Sequence, residues 1–193
     1  MAKVMYLDTE TTGLDPFKHD IHELAMIVEI DGLVMDRHQF FIRPFNVNDI
    51  DPRALEIAGV TQEKILAYRD PRLIHAGLVR WLARWVDKYD RTDKFWIIGY
   101  NIRFDVDFLS QFWIKAGDSY FGSYFRRPAI DVMSLALTKS LMDHGFNPVD
   151  HKLTSVAREL GIEFEDHRAH EAFFDVALTR EVFYKLLDRT PAS

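Results

Sequence analysis

The chain has 193 residues, 48% of them hydrophobic and 28% charged, with a formal net charge of −6. That is enough for one well-filled core, and it lacks the overall basic surface of a protein that coats long duplex DNA. There is no cysteine, which excludes disulfides, thiolate zinc sites, iron–sulfur clusters and cysteine nucleophiles.

Val4 to Leu7 form a short apolar run that predicts a strand over residues 3–8, broken by Thr11-Thr12-Gly13-Leu14-Asp15-Pro16. Residues 23–30 and 33–43 read as two further strands, and Asp31-Gly32 between them is a two-residue hairpin signal. Asp70 before Pro71 marks a helix start. Ile74, Leu78, Trp81, Leu82 and Trp85 then recur at helical spacing and predict a helix to about Tyr89. Residues 94–100 read as a strand buried on both faces, followed by a helix over 103–116. Helices are predicted over 131–141, with Asp131 as a cap, over 152–160 ending at Gly161, and over 171–187. Trp81, Trp85 and Trp96 are read as core. Strands alternating with helices after a hairpin make an α/β plan. One domain over residues 1–193 is expected, with a frayed tail from about 188. No span of about 20 apolar residues occurs, and carboxylates appear within the first ten positions. No membrane partner is therefore expected, and a cytoplasmic location is.

Five residues in separate stretches carry the chemistry. Asp8 and Glu10 are two apart on a strand, so their side chains share a face and can hold a hard cation such as Mg²⁺ or Mn²⁺. Asp105 falls in the first turn of a helix that follows a buried strand; Asp107, two residues on, points elsewhere, to solvent. His170 and Asp175 are five apart, about 140° around a helix, so His170 is expected in the loop before the last helix and Asp175 one turn inside it. His167 stands three before His170, but zinc lacks a third nitrogen ligand at useful spacing. Thr9 and Thr11 are candidates to bring hydroxyls near the metals, in orientations that the sequence does not define.

Taken in order, DTETTGL, NIRFDVDFL and HEAFFDVAL resemble the three motifs of the DEDD 3′→5′ exonucleases. The histidine five before the last aspartate resembles the DEDDh branch, which includes proofreading subunits, RNase T and oligoribonuclease. The likeness runs from about residue 3 to 187. It implies a ribonuclease H-like α/β fold, a mixed sheet of about five strands flanked by helices. It also implies that Asp8, Glu10 and Asp175 hold a pair of divalent cations, Mg²⁺ or Mn²⁺. Asp105 would reach the second through water, and His170 would be the general base. Thr11, Thr12, Gly13, Leu14 and Asn101 would hold the terminal nucleotide. Tyr100 departs from the histidine often found at its position. The expected partners are 3′ ends of single-stranded or frayed DNA, with a polymerase as a further partner. Three rival readings stand beside this one. An exoribonuclease would cut RNA faster, an inactive nucleic-acid-binding or polymerase-associated scaffold would bind metal without releasing nucleotides, and a mononuclear oxygenase would bind a single iron.

Overall fold

A computed structural model describes residues 2–165 and 171–189. Its centre is a five-stranded mixed sheet in the order β3-β2-β1-β4-β5. The strands are β1 (Lys3–Thr11), β2 (Ile21–Ile30), β3 (Leu33–Phe41), β4 (Trp96–Gly99) and β5 (Ile130–Asp131). The first three pair antiparallel, whereas β4 lies parallel to β1 and β5 parallel to β4. The Asp31-Gly32 hairpin forms as its sequence predicts, with both residues at positive φ (51° and 88°), the geometry a two-residue turn of this hand requires.

Seven helices belong to the described residues: α1 (Pro52–Ile57), α2 (Gln62–Leu66), α3 (Pro71–Leu82), α4 (Arg103–Lys115), α5 (Val132–Met142), α6 (Leu153–Glu159) and α7 (Ala172–Leu186). The alternation of β1 sorts its side chains between two cores. Met5 and Leu7 pack with Leu78 and Leu82 of α3 and Phe108 and Phe112 of α4. Tyr6 packs on the other face with Ala136 of α5, Val156 of α6 and Val176 and Val182 of α7. With helices on both sides, β1 must be apolar throughout its first half, which is why it reads as an unbroken run.

Several boundaries differ from the sequence expectations. Strand β1 continues past Asp8 to Thr11, because β2 begins at Ile21 and supplies partners that far. Helix α3 ends at Leu82 instead of near Tyr89. The Arg84 and Trp85 N–H groups bond back three residues, to the Trp81 and Leu82 carbonyls, tightening the last turn, while Trp85 and Val86 still pack against the core. Helices α1 and α2 were not anticipated, although Asp51-Pro52 repeats the start signal of Asp70-Pro71 and Thr61 caps α2. Two-residue β5 is too short to leave a periodic signal. Trp96 is 37% exposed rather than core. The tail expected to fray, apart from Asp188 and Arg189, lies outside the described residues.

Two buried ion pairs fix the pieces that matter below. Arg180 Nε of α7 donates to Glu29 of β2 at 2.6 Å, and the Tyr184 hydroxyl donates to the same carboxylate at 2.6 Å. Lys115 at the end of α4 donates to Asp20 at 2.8 Å, tying that helix to the loop between β1 and β2.

Candidate active site

Asp8 and Glu10 lie inside β1 on the face covered by α7, and the first turn of α7 carries Asp175. One oxygen from each of the three carboxylates lies within 4.8 Å of the others. Such a group of hard oxygen donors fits a divalent cation such as Mg²⁺ or Mn²⁺. Burial is the first cause that pushes the Asp8 carboxyl well above the usual range, followed by the charges of Asp105, Glu10 and Asp175. Glu10 is pushed up to about 8 by burial, then by Glu23, Asp175 and Asp105. Without a cation the site would hold protons at neutral pH. A bound dication reverses that balance, because it repays the like-charge repulsion directly.

Asp105 enters from the opposite face. It is 4% exposed, in the first turn of α4, and its Oδ1 accepts from the Thr9 N–H at 2.9 Å and the Thr9 hydroxyl at 2.7 Å. Thr9 points away from Asp8 and Glu10 by strand alternation, so its hydroxyl serves Asp105. Those two bonds hold the Asp105 carboxyl down, while burial outweighs them and raises it overall. The path from β4 into α4 is built from two special residues. A Cβ on Gly99 would lie 2.9 Å from the Leu7 carbonyl, so the β1–β4 approach needs a glycine. Asn101 takes the left-handed conformation (φ 54°), which asparagine tolerates better than most residues. Its N–H donates to Asp131 Oδ1 at 3.0 Å, and the same oxygen caps α5 through Met133 N–H at 3.0 Å. Asp131 is thus the structural cap expected of it. Tyr100 donates its hydroxyl to the His151 carbonyl at 2.6 Å, joining β4 to the start of α6. Between these elements lies a cavity of about 330 Å³ whose walls include Asn101, His151, Leu153 and Asp175.

The turn after Glu10 braces itself. Thr11 Oγ1 donates to the Gly13 carbonyl at 2.8 Å, and Thr12 Oγ1 accepts from Asp20 N–H at 2.9 Å. Gly13 is buried against the His19 ring, which a Cβ would meet at 2.5 Å. Leu14 is 80% exposed. Asp107 faces solvent and pairs with Arg103 at 3.8 Å. His170 and His167 lie outside the described residues; α7 begins at Ala172 with Glu171 as its cap.

One neighbour escaped the sequence reading. Glu23 stands directly across from Glu10 in the β1–β2 ladder. It accepts from Gln39 Nε2 at 2.6 Å and from the Ala172 N–H at the start of α7. It therefore ties the helix that carries Asp175 to the strand beside Glu10. The long loop between the strands hides this register from sequence.

The family model for exonucleases, of the RNase T type, matches residues 5–183. The chain belongs to this exonuclease family. The PolC-type DNA polymerase III of Thermotoga petrophila is 33% identical over 187 residues, covering 97% of this chain and 12% of that protein. The exonuclease chain thus spans about an eighth of the length of that polymerase. Ribonuclease T of Buchnera aphidicola is 26% identical over 199 residues, covering 95% of this chain and 82% of that enzyme. In structure, E. coli exonuclease I in complex with a dT13 oligonucleotide superposes with a TM-score of 0.78 at 20% identity, over 99% of this chain and 42% of its own. That likeness shows the fold: the mixed five-stranded sheet flanked by helices is the ribonuclease H-like one.

Proposed function

We propose that the chain is a single metal-dependent exonuclease domain that removes nucleotides from the 3′ end of single-stranded or frayed DNA. The observation that carries this reading is the convergence of Asp8, Glu10 and Asp175 within 4.8 Å, with the charge of Asp105 on the opposite face adding to what raises the Asp8 carboxyl. Asp8, Glu10 and Asp175 would hold a pair of divalent cations, Mg²⁺ or Mn²⁺, and Asp105 would reach the second through water. Bound there, the cations supply Lewis acidity toward the phosphodiester and a lowered pKa for the attacking water. His170 takes the proton of that water, as a neutral imidazole can near pH 8. The water oxygen would bond to phosphorus as the bond to the 3′ oxygen breaks, that oxygen would take a proton from solvent, and a nucleoside 5′-monophosphate would leave. Thr11, Thr12 and Gly13 shape the turn that presents Leu14 to the terminal nucleotide, and Asn101 lines the neighbouring cavity.

The names of the PolC-type relative and of the exonuclease I complex support DNA as the polymer and, for the former, association with a polymerase. The likeness to Ribonuclease T over most of that enzyme's length supports the second reading, a 3′→5′ exoribonuclease. A cytoplasmic location fits both readings. No helix among the described residues is long and apolar enough to cross a membrane. The deciding experiment is a gel assay on 5′-labelled DNA and RNA of one sequence, with Mn²⁺ and with EDTA. A metal-dependent ladder shortening from the 3′ end is expected, faster on DNA. Faster shortening of RNA would favour the exoribonuclease. Metal binding without shortening of either strand would leave only a scaffold.

A further inference from the structure

Strand β3 forms one edge of the sheet. In an antiparallel ladder, every second residue of an edge strand turns its N–H and C=O away from its partner. The Ile42 N–H donates inward, to the His22 carbonyl of β2 at 2.9 Å, and the Arg43 N–H donates outward, to the Arg69 carbonyl at 2.9 Å. In steps of two back from Arg43, the backbone groups of Phe41, Gln39 and Arg37 also face outward. The edge thus already accepts a strand at one end. That pairing is a single parallel bridge, Ile42 with Arg69, because Asp70-Pro71 then turns the chain into α3. Among the described residues, no backbone group meets Gln39 from the outer side. Beside this open edge, a groove of about 490 Å³ separates β3 from α3, with Arg69, Leu73, Gly77 and Arg80 in its walls. Leu73 is 69% exposed there. Gly77 stands inside α3, where glycine weakens a helix relative to alanine. A Cβ at Gly77 would meet nothing within 4 Å beyond its own stretch of helix. The packing of this chain does not require that glycine, and its missing side chain deepens the groove. None of the wall residues is a carboxylate, although the whole chain has 30 Asp and Glu against 24 Lys and Arg. Arg37 stands exposed on the same strand.

We infer that this groove docks an extended acidic segment of a partner protein, added to the β3 edge as a further strand. The inference stands apart from the exonuclease reading. Three physical points choose this occupant. The open edge offers donors and acceptors in alternation, which a peptide backbone matches; a phosphate backbone only accepts and would leave the Gln39 carbonyl without a donor. Arg37, Arg69 and Arg80 favour a negatively charged segment, whereas a second copy of this chain would set the same arginines against them. Side chains of an added strand alternate between the two faces of the sheet. Every second one would therefore turn toward Leu73 and the space over Gly77, which suits an apolar residue there and acids between.

The test is equilibrium binding of the whole chain to a fluorescein-labelled peptide of alternating glutamate and valine, read by anisotropy. Saturable binding is expected, and none of a lysine–valine counterpart. Methylating the peptide's backbone nitrogens at alternate residues should abolish binding in one phase and spare it in the other, because only every second N–H faces β3. Gly77→Leu fills the groove and should weaken binding by about tenfold or more, with a melting temperature at or above wild type. Arg80→Glu should weaken it by about tenfold as well. An absence of binding by wild type overturns the inference, and so does equal binding by both methylated peptides. Wild-type affinity in both Gly77→Leu and Arg80→Glu also overturns it. Displacement of the peptide by oligothymidylate would assign the groove to nucleic acid instead. A dimer in light scattering that Gly77→Leu dissociates would assign it to a second copy.

Discussion

Thr9→Val isolates one bond in the site. Valine matches threonine in shape and keeps the backbone N–H that Asp105 accepts at 2.9 Å, but it removes the hydroxyl that donates at 2.7 Å. Both groups are buried, Thr9 at 7% exposure and Asp105 at 4%. A hydrogen bond to a charged acceptor contributes about 1.5–3 kcal/mol. This one favours the ionised carboxylate, so its loss should raise the Asp105 pKa further, and about 1.4 kcal/mol corresponds to a tenfold smaller ratio of ionised to protonated carboxyl. If Asp105 takes part in holding a cation only when ionised, the Mn²⁺ concentration for half-maximal rate at pH 7 should rise by about tenfold. At pH 9 the gap should narrow, because mass action on the proton then drives ionisation in the variant as well. The assay is initial nucleotide release against Mn²⁺ concentration at both pH values, with melting recorded for each protein. An unchanged Mn²⁺ dependence at pH 7 would refute the reasoning. A defect that persists undiminished at pH 9 would refute it too, since a packing fault does not respond to pH.

Three further outcomes follow from the same geometry. Asp8→Asn should abolish nucleotide release. At pH 8 in EDTA it should also raise the melting temperature by about 2 °C or more, because the folded chain no longer has to keep on Asp8 a proton that the unfolded chain releases; a melting temperature at or below wild type would count against the raised Asp8 carboxyl. The metal-free protein should lose stability as pH rises. Glu10 ionises near the ordinary 4.5 when unfolded and near 8 when folded, so the folded chain keeps a proton that the unfolded chain releases. The destabilisation therefore grows from about pH 4.5 and levels off above 8. Urea midpoints in EDTA should show this slope and saturating Mn²⁺ should flatten it; parallel curves would exclude cation binding at Glu10. Finally, Gly13→Ala drives a methyl to 2.5 Å from the His19 ring and should cost about 1–3 kcal/mol. Calorimetry should find part of that loss recovered in Gly13→Ala/His19→Ala, and a wild-type melting temperature for the single variant would show that the loop yields freely.

What the sequence determined by itself was local. Continuous apolarity marks β1 and β4, because strands buried on both faces have no polar side to reveal. Asp31-Gly32 announces its hairpin, because positive φ selects those residues. Asp70-Pro71 and Gly161 bound their helices for equally local reasons, and strand alternation alone puts Asp8 and Glu10 on one face. Asp51-Pro52 held the same kind of signal for α1, masked by a segment with little periodicity.

What only the tertiary structure decided is long-range. That Asp175, 165 residues after Glu10, comes within 4.8 Å of it depends on α7 lying across β1 and β2, held by Glu29, Arg180 and Tyr184. The partnership of Thr9 with Asp105, and of Glu23 with Glu10 and the first turn of α7, joins residues whose separation in sequence carries no periodic trace. Strand and helix signals arise from neighbours within about a turn, whereas a cluster of acids is stable only where the surrounding fold imposes it. The energetics of the site are therefore properties of the packed sheet and its helices, not of any one motif.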